Sequence, residues 1–237
     1  MDLGLEGRVA LVTASSKGLG LASAAALAAE GASVAICARD PDRLAAAASG
    51  IGPDVLAIPA DVTDPGAPAR LIAATVERFG RLDVLVANAG GPPQARALEV
   101  TDESLAQALN ANLVTSIRLV REAVPHLRVA GGGRICLITS SAVKQPIPTL
   151  ALSNTARTGL WGWAKTAAQD LAQDGITLNL ACPGLHATDR VRHLGFEGPL
   201  GDPADFGRVV AFLCSDHAGF VSGVALQVDG AATLGLL

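Results

Sequence analysis

The chain has 237 residues, of which 50% are hydrophobic and 17% charged. That balance excludes intrinsic disorder and is enough for one large α/β domain, spanning 1–237, with a substantial core. A net charge of −4, a pI of about 5.5 and no basic cluster along the sequence argue against nucleic acid and anionic membranes as partners.

In chain order, seven short apolar, β-rich runs alternate with alanine-rich segments. The runs are RVALVT (8–13), SVAICA (33–38), VLAIPA (55–60), LDVLVA (82–87), RICLIT (134–139), ITLNLA (176–181) and VALQVD (224–229). Continuous rather than alternating apolar character predicts strands covered on both faces. The segments 18–30, 67–79, 102–124 and 152–173 are long enough for crossover helices. The expected fold is a doubly wound Rossmann domain, a seven-stranded, mostly parallel sheet with helices on both faces. RVAGGGR (128–134) predicts a tight helix-to-strand turn, and no linker or repeat divides the chain.

Mean hydropathy is +0.40, yet the most apolar helix-like run, GLGLASAAALAA (18–29), stops at Glu30 and is too short for a bilayer. The N-terminus shows no basic segment leading into an apolar core, so no secretory leader is expected and the protein is expected to be cytoplasmic. Cys37, Cys136, Cys182 and Cys214 form no C-x-x-C pair, and the four histidines have no ligand spacing. Reduced thiols and no metal site are expected.

The first run leads into TASSKGLG (13–20) and then a helix. Gly18 and Gly20 allow a ligand to approach the backbone closely, and the helix N-terminus offers unpaired N–H groups to a phosphate. An NAD-preferring site places a carboxylate about twenty residues on, at the end of the second strand. Here that position reads Ala38-Arg39, with Lys17 inside the glycine turn. Two cations suit a 2′-phosphate, so NADP(H) is favoured over NAD(H).

These motifs, with others along the whole chain, resemble the short-chain dehydrogenase/reductase family. Thr13-Ala14-x-x-x-Gly18-x-Gly20 is similar to its T-G-x-x-x-G-x-G turn, which also contains Ser15 and Leu19, with the first glycine replaced by alanine. Ala14 would be strained if its position needs a positive φ and would only crowd the turn otherwise. ADV (60–62) resembles the adenine-contacting element, through Asp61 and Val62. ANAG (87–90) is similar to the N-N-A-G strand end, keeping Asn88, Ala89 and Gly90. CPGLHAT (182–188) resembles the loop with Pro183, Gly184 and a nicotinamide-contacting threonine, Thr188. VSGVALQVDG (221–230) is similar to the last strand and its D-G ending.

The resemblance also implies an Asn, Ser, Tyr and Lys tetrad. Asn112 in NANL matches the asparagine that holds a relay water, and Ser140 matches the serine, with Ser141 as the alternative register. The Y-x-x-x-K positions read Ser153-Asn-Thr-Ala-Arg157, and the chain contains no tyrosine at all. A phenol titrates near ~10 and can be tuned by a cation; an aliphatic hydroxyl is a far weaker acid. Arginine keeps its proton and cannot relay it, although Arg157 can hold ribose hydroxyls.

Three readings stay open. The first is an oxidoreductase of a small carbonyl, alcohol or acyl substrate with another proton donor. That donor is a water held by Asn112, Ser140 and Ser153, or His186, whose imidazole titrates in a useful range of about 6.5. Lys144 is a weaker candidate. The second is a non-redox cyclase or dehydratase, and the third a cofactor-binding protein without turnover. TDRVR and LSNTAR together resemble a 3-oxoacyl carrier-protein reductase-like subgroup with a divergent tetrad. A short lid is expected at 189–203, where Arg190 and Arg192 could meet an anionic group. The resemblance implies a homo-oligomer, a tetramer or dimer, pairing through 102–124 and 152–173, with Trp161 and Trp163 in core or interface.

Overall fold

Each apolar run in the sequence forms a strand of a single sheet. The structure, a computed structural model, describes residues 2–196 and 198–235. The strands are β1 (Val9–Val12), β2 (Ser33–Ala38), β3 (Leu56–Pro59), β4 (Val84–Ala87), β5 (Gly133–Ile138), β6 (Ile176–Pro183) and β7 (Ala225–Val228). Their spatial order is β3-β2-β1-β4-β5-β6-β7, and every pairing is parallel. The central strands are buried on both faces, which is why they read as continuous apolar runs rather than alternating ones.

The helices are α1 (Gly18–Ala29), α2 (Pro41–Ile51), α3 (Ala67–Phe79), α4 (Asp102–Leu109), α5 (Thr115–Val129), α6 (Ala151–Leu171), α7 (Asp189–Leu194) and α8 (Pro203–Leu213). Two hydrophobic clusters fill the two faces of the sheet. One places Leu71, Leu119 and Leu160 beneath α3, α5 and α6; the other places Leu27, Leu44 and Phe206 beneath α1, α2 and α8. No helix among the described residues is long and apolar enough to cross a membrane.

The structure departs from the sequence expectation in two helical segments. The stretch 102–124 is not one helix: a π turn at Asn110–Val114 separates α4 from α5. The Thr115 hydroxyl donates to the Asn110 carbonyl at 2.8 Å, and Arg118 Nη1 donates to Asn110 Oδ1 at 3.0 Å, which together hold the widened turn open. The short connection at 189–203 reaches α8 as expected but contains α7, which no periodicity announces. Thr188 starts it by accepting the Val191 N–H, and Gly195 stops it at a φ of 68°.

Helices α1 and α8 approach through Gly207, where a Cβ would run into the carbonyl oxygen of Ala22. Phe206 beside it is wholly buried. A Gly207→Ala variant is expected to lose about 1–3 kcal/mol of stability through overpacking, read as a lower urea midpoint with an unchanged slope.

Candidate active site

The strand order reverses between β1 and β4, so the chain after these two strands leaves in opposite directions and opens a crevice at their C-terminal ends. A clasp fixes this point. The Thr13 hydroxyl donates to the Asn88 carbonyl at 2.7 Å and accepts the Asn88 N–H at 2.8 Å, while Asn88 Nδ2 donates to the Ala14 carbonyl at 3.0 Å. Above the clasp lies a cleft of about 840 Å³.

The glycine turn divides into residues that face this cleft and residues that support it. Lys17, Gly18 and Leu19 line it, as do Ser16 and Ala14. Thr13 and Ser15 are fully buried beneath it, with Ser15 Oγ donating to the Val12 carbonyl at 2.7 Å. Gly20 supports the turn by close approach, since a Cβ there would stand 2.7 Å from Asn88 Nδ2 and 2.9 Å from the Ala14 oxygen. Ala14 itself has a φ of 48°, so the alanine in place of glycine is in the left-handed region. Lys17 occupies the N-cap of α1 without a side-chain capping bond. The first N–H groups of the helix therefore remain open toward the cleft.

Farther along the sheet, Arg39, Asp61, Val62, Asn88, Ala89 and Gly90 line the cleft. The Asp61 carboxyl accepts the Thr63 N–H at 2.9 Å and the Thr63 hydroxyl at 2.8 Å. These bonds, with the charge of Arg39, hold it below the usual carboxylate range. On the other side Pro183, Gly184 and Thr188 line the cleft. A Cβ at Gly184 would stand 2.6 Å from Asp229 Cβ, so glycine there lets the loop run against the end of β7.

The residues expected to do chemistry gather at the opposite end. Ser140, Ser141, Ser153 and Arg157 all line the cleft. Ser153 and Arg157 stand one turn apart on α6. Ser153 is 5% exposed, and its hydroxyl has no hydrogen-bond partner among the described residues. Ser140 Oγ accepts the Ala142 N–H at 3.1 Å, which leaves its own proton free to donate.

The Arg157 guanidinium donates through Nη1 to the Thr139 carbonyl and through Nη2 to Asn112 Oδ1 at 3.0 Å. Asn112, in the π turn, is 3% exposed and stands behind Arg157 rather than in the cleft wall. Burial, with the charge of nearby Arg190, pushes the Arg157 pKa down to about 10, so it remains a cation at neutral pH.

His186 is 4% exposed. Its ring stands edge-on to Phe206 with centroids 5.4 Å apart, its Nδ1 lies 3.3 Å from the Gly184 carbonyl, and its Cδ2–Nε2 edge lies against Gly201. Lys144 Nζ sits 4.8 Å over the Trp161 ring, a cation–π contact outside the cleft wall. Arg192 pairs with Asp189 at 2.8 Å. Sequence reasoning did not name Ser16, nor the apolar wall of Ile147, Leu150, Leu194 and Phe196. Ser16 was findable as a member of the turn, whereas the apolar residues come from loops without periodicity.

A doubly wound sheet with an uncapped glycine turn at its switch point defines a dinucleotide-binding fold. The family model described as Enoyl-(Acyl carrier protein) reductase matches residues 13–233. The chain is 32% identical to pig "Dehydrogenase/reductase SDR family member 4" over 95% of its length and 87% of that protein. It is 33% identical to the 3-oxoacyl-[acyl-carrier-protein] reductase MabA of Mycobacterium tuberculosis, over 96% of this chain and 94% of that one. The L-sorbose reductase of Gluconobacter frateurii, solved with NADPH and L-sorbose, superposes with a TM-score of 0.91 at 31% identity, covering 97% of this chain and 98% of that one. The chain belongs to the short-chain dehydrogenase/reductase family of oxidoreductases.

The left-handed alanine supplies a test of the turn. Holding a non-glycine residue there costs about 1–2 kcal/mol, and glycine returns part of that gain through its looser unfolded chain, by about 0.4–1 kcal/mol. Ala14→Gly is therefore expected to stabilise the protein by about 0.5–1 kcal/mol, measured by chemical denaturation without cofactor.

Proposed function

We propose that the protein is an NADP(H)-dependent reductase of small carbonyl compounds in which water, rather than a side-chain acid, supplies the proton. The observation that carries this reading is an unpartnered hydroxyl, Ser153, one helical turn from a cation that has no carboxylate partner among the described residues. Both lie at the C-terminal edge of a sheet whose first helix opens its N-terminus to the same cleft.

The residues present fit the cofactor. The open N–H groups of α1 suit its pyrophosphate, and Asp61 with Val62 suits the adenine. Arg39 lines the cleft with no carboxylate within ion-pair distance among the described residues, whereas Lys17 pairs with Asp189 at 3.8 Å. Arg39 is therefore the cation available to a 2′-phosphate. Arg157 would hold the nicotinamide ribose, with Pro183, Gly184 and Thr188 flanking the ring.

When bound, the reduced nicotinamide supplies the hydride. Ser140 and Ser153 donate hydrogen bonds to the carbonyl oxygen of the substrate, and the bonds strengthen as negative charge develops there. The Arg157 cation adds to this stabilisation in a site where burial limits screening. The resulting alkoxide takes its proton from water entering the cleft. His186 also lines the cleft, but its ring packs edge-on to Phe206 of α8 with Nδ1 3.3 Å from the Gly184 carbonyl, and the step falls to water instead.

Two substitutions test the reading. Arg39→Ala is expected to raise the Kd for NADPH about tenfold or more, since a charge-assisted bond to phosphate contributes about 1.5–3 kcal/mol. The Kd for NADH should move less than twofold in the same titration. Ser153→Tyr restores a phenol beside a cation and is expected to raise kcat for carbonyl reduction at neutral pH about tenfold or more, within the usual range for a positioned general acid. NADPH binding without consumption across a carbonyl panel, by both the parent and Ser153→Tyr, would instead identify a dinucleotide-binding protein without turnover.

A further inference from the structure

The protein as a whole is acidic, but the cleft is not. Five cationic side chains line it, Lys17, Arg39, Arg43, Arg157 and Arg190, against three carboxylates, Asp40, Asp61 and Asp189. Each carboxylate already has partners. Asp40 pairs with Arg43, Asp61 accepts from Thr63, and Asp189 pairs with Lys17 and Arg192. The Asp189 pair with Lys17 lies by the glycine turn, at the start of α7. Arg157 and Arg190 bond only to uncharged oxygens, with no carboxylate within ion-pair distance of either among the described residues.

The end that holds Ser140, Ser153 and Arg157 is also short of acceptors. Ser153 is 5% exposed and its hydroxyl has no partner among the described residues. The Ser140 hydroxyl accepts the Ala142 N–H, which leaves its proton to donate. A guanidinium has five N–H groups. Arg157 uses one each on Thr139 and Asn112. Arg190 reaches from α7 across the cleft to the β4 side, where its guanidinium lies over Gly91 and donates to the Pro92 carbonyl. Among the described residues its remaining N–H groups have no partner. Its charge reaches Arg157 and lowers that group's pKa. Arg157 and Arg190 thus line one cleft with N–H groups to spare and only uncharged acceptors, an arrangement that suits an anion.

Resting on the reductase reading, we infer that the substrate is a small oxo acid, with its ketone oxygen on Ser140 and Ser153 and its carboxylate on Arg190. A carboxylate fits one guanidinium in a planar, two-bond pairing, and Ile147, Leu150, Leu194 and Phe196 offer an apolar wall to the carbon chain. Arg190 is then the specificity-determining residue, selecting acids over neutral ketones of the same shape.

The test uses matched pairs, acetoacetate with methyl acetoacetate and 2-oxobutanoate with its methyl ester. Binding is measured calorimetrically to the enzyme saturated with NADP+, which cannot reduce them, and turnover separately with NADPH. At least one acid is expected to bind ten times or more tighter than its ester. Arg190→Gln should reduce that ratio at least tenfold, Arg190→Lys should restore part of it, and NADP+ affinity should move less than threefold in both variants.

Acid and ester binding equally, with both reduced, would overturn the carboxylate subsite and keep the reductase reading. Acid preference in binding with no NADPH oxidation would support the subsite and overturn the reductase. A tenfold loss of NADP+ affinity in Arg190→Gln with an unchanged acid-to-ester ratio would assign Arg190 to the cofactor and overturn the inference.

Discussion

The arrangement of the catalytic end depends on one partly buried cation, Arg157. It ties together α6, the chain leaving β5 and the π turn between α4 and α5, by donating to the Thr139 carbonyl and to Asn112 Oδ1. Neither acceptor carries a charge. A guanidinium held this way keeps its geometry but not its electrostatic balance. Burial lowers its pKa to about 10, well below the ordinary guanidinium range. The folded state therefore disfavours the cation at every pH below that value, and relief comes only as pH rises through it. Near neutrality the guanidinium stays charged, with uncharged acceptors only among the described residues.

The same contact engages Asn112. The family resemblance gives this asparagine a relay water, but its Oδ1 is occupied by Arg157, and the side chain stands behind the cleft wall. The π turn is what brings it there, since an extra residue in the turn rotates the chain toward α6. Arg157 and Asn112 thus anchor one another, with the guanidinium donating to the amide oxygen.

Much of the fold was legible in the sequence. Buried parallel strands leave continuous apolar runs, so all seven were found, and the absence of tyrosine is a fact of the sequence alone. Whether a turn residue faces the ligand or supports the turn was not legible. Thr13, Ser15 and Gly20 belong to the motif as fully as Lys17 and Gly18 do, yet they lie beneath the turn because their partners, Asn88 and the Val12 carbonyl, come from β4 and β1. The cationic cleft was equally hidden. Positions 17, 39, 43, 157 and 190 form no cluster in sequence, and only the convergence of strand ends brings them together. His186 lines the cleft, as its place in the loop suggested, and its ring also packs edge-on to Phe206 and against Gly201.

A water-derived proton also makes sense of the lid. A short connection is a defect if catalysis relies on excluding solvent, and here it is tied down at both ends, by Lys17 with Asp189 and by backbone bonds between Gly201 and the loop at Leu185 and Ala187. Arg190 donates to the Pro92 carbonyl, and Gln94 Nε2 donates to the Leu194 carbonyl at 3.3 Å. An enzyme with a phenol needs water kept away from the reacting centre more than it needs water admitted. An enzyme with two serines and an arginine needs the oxyanion held while solvent reaches it. Arg190 joins α7 to the chain after β4, and its remaining N–H groups have no partner among the described residues.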